Sequence, residues 1–140
     1  MTRTSGTSLI AGATMAIQIN GTLWTWGYNN VGQLGQNNLT SFSSPVQIGA
    51  GTWTNISFMN GSYNAASDFS GFGINTQGNL YAWGLNNYGQ LAQNNVTTFS
   101  SPMQIGTVYA GVVETPTLLD TNSWSSISAC LLYTSPSPRD

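Results

Sequence analysis

Residues 21–49 read GTLWTWGYNNVGQLGQNNLTSFSSPVQIG, and residues 78–106 read GNLYAWGLNNYGQLAQNNVTTFSSPMQIG. The two stretches align without a gap at an offset of 57 positions, and in the wider window of Ile17–Gly49 against Ile74–Gly106, 21 of 33 positions are identical. A fixed long period makes repetition of one supersecondary unit the first thing to explain. A shorter match flanks it. Trp53-Thr-Asn-Ile-Ser57 lies against Trp124-Ser-Ser-Ile-Ser128, and Thr7-Ser-Leu-Ile-Ala-Gly12 fits the same slot with Thr7 in place of Trp.

Each copy reads as short strands. Leu23–Trp26 and Leu80–Trp83 are aromatic and bounded by glycine, a strand signature. Ala16–Ile19 precedes the first across Asn20-Gly21, a hairpin dipeptide, and Gln77-Gly78 takes that place in the second copy. Pro45–Ile48 and Pro102–Ile105 alternate, with Pro where only an edge strand tolerates it. The Trp-x-x-Ile-Ser segment supplies a fourth strand. Four short strands per unit of about 50 to 60 residues is the arithmetic of a β-propeller blade, and no 3.6-residue period supports helices. The fold predicted is all-β: two four-stranded antiparallel blades plus an orphan strand at Trp124–Ser128. Unit one spans 7–49 after an extension of residues 1–6, unit two spans 53–106, and a third unit starts at 124–129.

Composition removes several functions. The chain has 140 residues, of which 4 % are charged, and it has no His; about 25 % charged is usual. Arg3 and Arg139 are the only basic side chains, too few and too far apart for a phosphate-backbone surface. A His-based triad or zinc site and a Lys Schiff base are excluded. No cofactor is expected. No apolar run approaches the roughly 20 residues of a membrane span, and no signal peptide is visible. Ser, Thr, Asn and Gln make up 57 of the 140 residues and keep the chain in water, while 5 Trp, 6 Tyr and 5 Phe argue against disorder.

The recurring loop Trp26-Gly27-x-Asn29-x-x-Gly32-Gln33-Leu34, repeated as Trp83-Gly84-x-Asn86-x-x-Gly89-Gln90-Leu91, reads as structural. Asn and Gly accept turn geometry, the two Leu plug the core between blades, and the two Trp pack sheet on sheet. A ligand loop is the alternative. Asn20, Asn38, Asn55, Asn60 and Asn95 each open an Asn-x-Ser/Thr sequon, which matters only on a eukaryotic secretory route. The insertions 59–72 and 107–122 hold the acids Asp68, Glu114 and Asp120. Scattered over strand connections, these read as surface solvation; a hydrolase would need two of them across a cleft. Cys130–Asp140 holds the only Cys and matches the translation of a transposase sequencing adapter. It is set aside as a non-native tail, with the natural chain expected to run on past Ala129 into further blades.

The pattern W-x-x-I-S, A-I-x-x-x-G-x-L-W-x-W-G-x-N-x-x-G-Q-L-G, S-P-x-Q-I resembles the repeat of the regulator of chromosome condensation family from Thr7 to Ser128. Ala92 in place of the last Gly and Thr14 where many repeats carry His are mild departures. The resemblance implies a seven-bladed propeller. The founding member binds chromatin and promotes nucleotide exchange on a small GTPase through basic segments and loop residues that this chain does not match. The near-identical, almost uncharged repeats are similar to bacterial or phage members. The expectation is a non-enzymatic module that contacts protein or glycan through its inter-strand loops, with no nucleic acid and no membrane insertion, on a cell surface or virion. The alternative is an exchange-factor-like regulator of a small GTPase.

Overall fold

Six strands follow one another in a single antiparallel meander in the computed structural model, which describes residues 12–60, 69–106 and 124–128. They are β1 (Ala13–Ile17), β2 (Thr22–Gly27), β3 (Phe42–Asn60), β4 (Phe69–Asn75), β5 (Leu80–Gly84) and β6 (Phe99–Gln104). No helix occurs among the described residues. Side-chain amides set the hairpins: Asn20 Oδ1 accepts from the Thr22 N–H, and Asn75 Oδ1 accepts from the N–H groups of Gln77 and Asn79. These are the local Asx bonds that favour Asn in turns.

One expectation is corrected. Pro45–Ile48 and Trp53–Ser57 are not separate strands but parts of β3, which runs for 19 residues. Its first half pairs with β2 (Thr25↔Val46, Trp24↔Gln47, Thr22↔Thr52), and its second half pairs with β4 (Ile56↔Gly73, Phe58↔Gly71). Gly49-Ala50-Gly51, with Gly49 at φ 51, bends the chain out of one sheet and into the next with no intervening loop. Unit one is therefore β1, β2 and the start of β3. Unit two is the end of β3 with β4, β5 and β6, a four-stranded blade. Both Pro-bearing stretches do lie at sheet edges among the described residues, where β6 pairs with β5 alone and the start of β3 with β2 alone.

Trp124–Ser128 is not a strand either, because it has no ladder partner among the described residues. It keeps the first contact of one: Trp124 N donates to Gly78 O at 2.7 Å, repeating Trp53 N to Gly21 O at 2.7 Å. The Thr7–Ala11 part of the matching slot lies outside the described residues.

Strand alternation puts Ala13, Met15 and Ile17 of β1 and Leu23 of β2 on the face toward unit two. There they join Leu34 and Ile48 against Trp53, Ile56, Phe58 and Trp83 in one buried cluster. Trp83 is the wedge. It is fully buried, and its Nε1 donates to Gln33 O across the units at 2.9 Å. Its ring lies flat on β4 only because Gly71 is beneath it: a Cβ at Gly71 would overlap the indole, and one at Gly73 would come within 2.8 Å of Trp53. The opposite face of unit two carries a second cluster of Phe72, Ala82 and Leu91, with Met59, Phe99, Ile105 and Ile127 against it.

Trp26, read from sequence as core like Trp83, is only half-buried. It faces away from unit two, and its cross-strand partner is Thr14 where Trp83 has Gly71. The described residues place no second sheet on that face. The two tryptophans should therefore separate in a urea melt. Trp83→Phe strands the Gln33 carbonyl and opens a cavity, and should cost about 2–4 kcal/mol. Trp26→Phe should cost less than about 1 kcal/mol. Equal losses would contradict this assignment.

Candidate functional site

The motif between β2 and β3, and its copy between β5 and β6, folds around one buried amide. Asn29 is fully buried. Its Oδ1 accepts from Leu34 N at 2.9 Å, and its Nδ2 donates to Asn38 O at 3.0 Å and Thr40 O at 2.9 Å. Asn86 repeats the set with Leu91 N, Asn95 O and Thr97 O, each at 2.9 Å. One side chain thus supplies a donor and an acceptor to backbone that has no strand partner, which buried polar groups require. Gln33 and Gln90 brace the turn from inside, accepting on Oε1 from Val31 N and Tyr88 N. The sequon residues Asn38 and Asn95 donate to Gln36 O and Gln93 O, so their amides also serve the loop.

Glycine is needed where the loop leaves the strand. Gly84 has φ 93, and a Cβ there would lie 2.5 Å from Phe69 O. Gly27, at φ 103, meets Gly12 O in the same way. Ala92 is the exception in the motif: it holds φ 53, left-handed backbone that glycine occupies at Gly35.

Gly27, Asn29, Gly32, Gln33 and Leu34, with Trp83, Gly84, Asn86, Gly89, Gln90 and Leu91, thus hold the turns and the core between the units, whereas Trp26 stands half-buried outside that core. Leu34 and Leu91 are both fully buried. What the scaffold displays is at the positions where the copies differ. Tyr28 is 41 % exposed, Leu39 61 %, Tyr88 89 % and Val96 64 %. All four stand on the two loops, and the first loop rests on the start of β6: Asn37 N donates to Ser100 O at 2.7 Å, and a Cβ on Gly32 would lie 2.5 Å from the Ser100 Cα. The sequence reading concentrated on the invariant positions and passed over these four. Their signal was a large apolar residue in a turn whose own bonds do not use it.

A cleft of about 390 Å³ opens between the units, lined by Gly35, Gln36, Ile48, Trp53, Tyr81 and Ser101 among others. Trp53 packs edge-on to Tyr81 and Trp83 at centroid distances of 5.3 and 6.1 Å, and its buried Nε1 has no hydrogen-bond partner among the described residues. Asp68, Glu114 and Asp120, like both arginines, lie outside the described residues. Among the described residues no group of His, Cys, Asp or Glu could hold a metal, and no helix is long and apolar enough to cross a membrane.

Fold and loops define a class, a β-propeller built from repeated antiparallel blades. The regulator of chromosome condensation (RCC1) repeat matches residues 20–58 and 77–129, and the chain belongs to that family. It is 29 % identical over 92 residues to the ultraviolet-B receptor UVR8 of Arabidopsis thaliana, covering 66 % of this chain and 20 % of the relative. It is 36 % identical over 92 residues to the protein RCC2 homolog of Danio rerio, covering 65 % of this chain and 17 % of the relative. The chain thus spans about a fifth of the length of these relatives. Among solved structures, human WBSCR16 matches at TM-score 0.58 and 19 % identity, covering 79 % of this chain and 27 % of that one. Prp20p of Saccharomyces cerevisiae matches at TM-score 0.53 and 19 % identity, covering 74 % and 25 %. These structures share the propeller fold.

Two substitutions check the loop account by thermal and urea unfolding. Asn29→Ala leaves Leu34 N and two carbonyls buried without a partner and should cost about 2–4 kcal/mol. Ala92→Gly relieves a left-handed alanine and should stabilise by about 0.5–1 kcal/mol. A neutral Asn29→Ala would contradict the amide's role.

Proposed function

We propose that this chain is a non-enzymatic propeller module that binds a protein partner through the repeated loops between β2 and β3 and between β5 and β6. The observation that carries the reading is the apolar rim of Tyr28, Leu39, Tyr88 and Val96, exposed on loops whose backbone is fixed by the buried Asn29 and Asn86. Aromatic and aliphatic side chains held on a stiff frame lose little entropy on docking, and aromatics are enriched in the centres of protein interfaces. All charged residues lie outside the described residues, so the described loops offer a partner apolar contact and neutral hydrogen bonds rather than steering by charge.

The setting proposed is a bacterial or phage surface or structural protein, in keeping with loops kept wet by Asn, Ser and Thr. A solved structure of Prp20p reports its binding to Gsp1p and histones, and another shows Kap60 bound to yeast RCC1; these support protein contact as the mode of action. Exchange on a small GTPase is the second reading, and it rests on that likeness.

The test uses the purified chain and a Leu39→Ser/Tyr88→Ser/Val96→Ser variant in affinity capture from the source organism, followed by titration of the captured protein. The variant should melt at the same temperature and bind the partner at least tenfold more weakly. Unchanged affinity would overturn the rim. Acceleration of nucleotide release from a small GTPase would favour the second reading.

A further inference from the structure

The cleft between the units is lined by described residues, none of them charged, and the described segments end away from it. Residues 60 and 69 lie at the far ends of β3 and β4 from Trp53 and Asn75, which line the cleft. Ile105 and Ile127, next to the ends at 106 and 124, pack on the opposite face of unit two. Gly12 leads into β1, which contributes nothing to the lining. The cleft is also separate from the loop rim, since Tyr28, Leu39, Tyr88 and Val96 do not line it.

Its lining combines apolar surface with neutral hydrogen-bonding groups. Ile48, Pro102, Trp53 and the half-buried Tyr81 supply the first. Asn75 Oδ1 serves the β4–β5 hairpin, but its Nδ2 has no partner among the described residues, and neither has the Ser101 hydroxyl or the Asn37 side-chain amide. The buried Trp53 Nε1 is a further donor without an acceptor there. The position that a Gly51 side chain would fill opens onto it: a Cβ at Gly51 would lie 3.7 Å from Nε1 and, its chain neighbours aside, within 4 Å of nothing else. Gly51 lines the cleft as well. A volume of about 390 Å³ with apolar walls and a few convergent polar groups suits a small ligand.

We propose that the cleft binds a short neutral saccharide. A sugar ring offers C–H faces that pack on aromatic and aliphatic surface, and a rim of hydroxyls that both donate and accept. In the cleft, Tyr81 and Ile48 take the C–H face, Asn75 Nδ2 and the Ser101 hydroxyl take ring hydroxyls, and one hydroxyl oxygen, entering beside Gly51, accepts from Trp53 Nε1. An unpaired buried donor is costly, so this last bond favours the occupied cleft over the empty one. The missing charge in the lining excludes a tight fit for a phosphorylated or carboxylated ligand, whose ionised groups would lose water without gaining a counter-charge. A peptide strand fits less well, because Pro102, on the β6 edge beside the cleft, has no N–H to give it.

Titration of the isotope-labelled full chain with cellobiose, maltose, lactose and chitobiose, followed by NMR at the indole N–H resonances, tests this. The expected result is saturable millimolar binding of at least one of these disaccharides, with the Trp53 Nε1–H moving most and the Trp83 Nε1–H staying in place. Gly51 is outside the left-handed region, so Gly51→Ser is unstrained and sets a hydroxyl beside Nε1. That variant should melt at the same or a higher temperature and bind about tenfold more weakly. Ser101→Phe, which fills the cleft from the edge strand, should abolish binding. The Leu39→Ser/Tyr88→Ser/Val96→Ser variant should bind saccharide as the parent does, which separates failure of the cleft from failure of the rim. No movement of the Trp53 Nε1–H with any of these disaccharides would overturn the proposal, and so would binding indifferent to both Gly51→Ser and Ser101→Phe. Equal affinity for the charged digalacturonate would overturn the neutral ligand class.

Discussion

One indole decides how the two units sit. Trp83 is fully buried between them, donates to the Gln33 carbonyl, and rests on Gly71, a residue without a side chain. A tryptophan buries more area than any other side chain, but its N–H must find an acceptor or the burial is costly. Here the acceptor is the backbone of the neighbouring unit's loop. Hydrophobic burial and hydrogen-bond geometry therefore demand the same placement, and the angle between the sheets has little freedom left. Trp53 shows the contrast, since its Nε1 is buried without a partner among the described residues and its ring is held by packing only, edge-on to Tyr81 and Trp83 and over Gly73.

The loop that holds Gln33 is rigid for a separate reason. Asn29 bonds three backbone groups at once, which lets a run of residues without strand partners sit partly inside the protein. The same arrangement at Asn86 shows that the device belongs to the repeat rather than to one interface. Because the amide holds the loop from within, its outer positions are free to differ. Leu39 corresponds to Val96 and Val31 to Tyr88, while Tyr28, exposed on the first loop, has the buried Leu85 as its counterpart. A fixed frame with variable outer side chains suits recognition better than chemistry, and it is on this ground that we propose a binding role.

Much of this was legible in the sequence because the repeat supplied its own comparison. Asn20-Gly21, the aromatic strands and the edge prolines located the hairpins and sheet edges. The loop Asn and Gly residues were readable as turn-formers. The continuity of β3 was not, because Gly49-Ala50-Gly51 looks like a loop and becomes a bend only once both sheets exist to pair its flanks. The different fates of Trp26 and Trp83 were also hidden. Both sit in the same motif, and only Thr14 against Gly71, distant in sequence, marks the difference. The rim escaped notice because an exposed Tyr88 or Val96 has no pattern of its own until the loop's internal bonds show which side chains are spare.

The central claim is that Trp83 locks two units into one cooperative core. It is tested most directly by hydrogen exchange at the indole Nε1–H positions, followed by NMR under native conditions. The account predicts that the Trp83 Nε1–H exchanges only through global unfolding, with protection equal to that of the slowest β4 and β5 amides. The half-buried Trp26 Nε1–H should exchange orders of magnitude faster. If Trp83 exchanged as fast as Trp26, or in a step that left the β1–β2 amides protected, the units would be separating without unfolding and the lock would not exist.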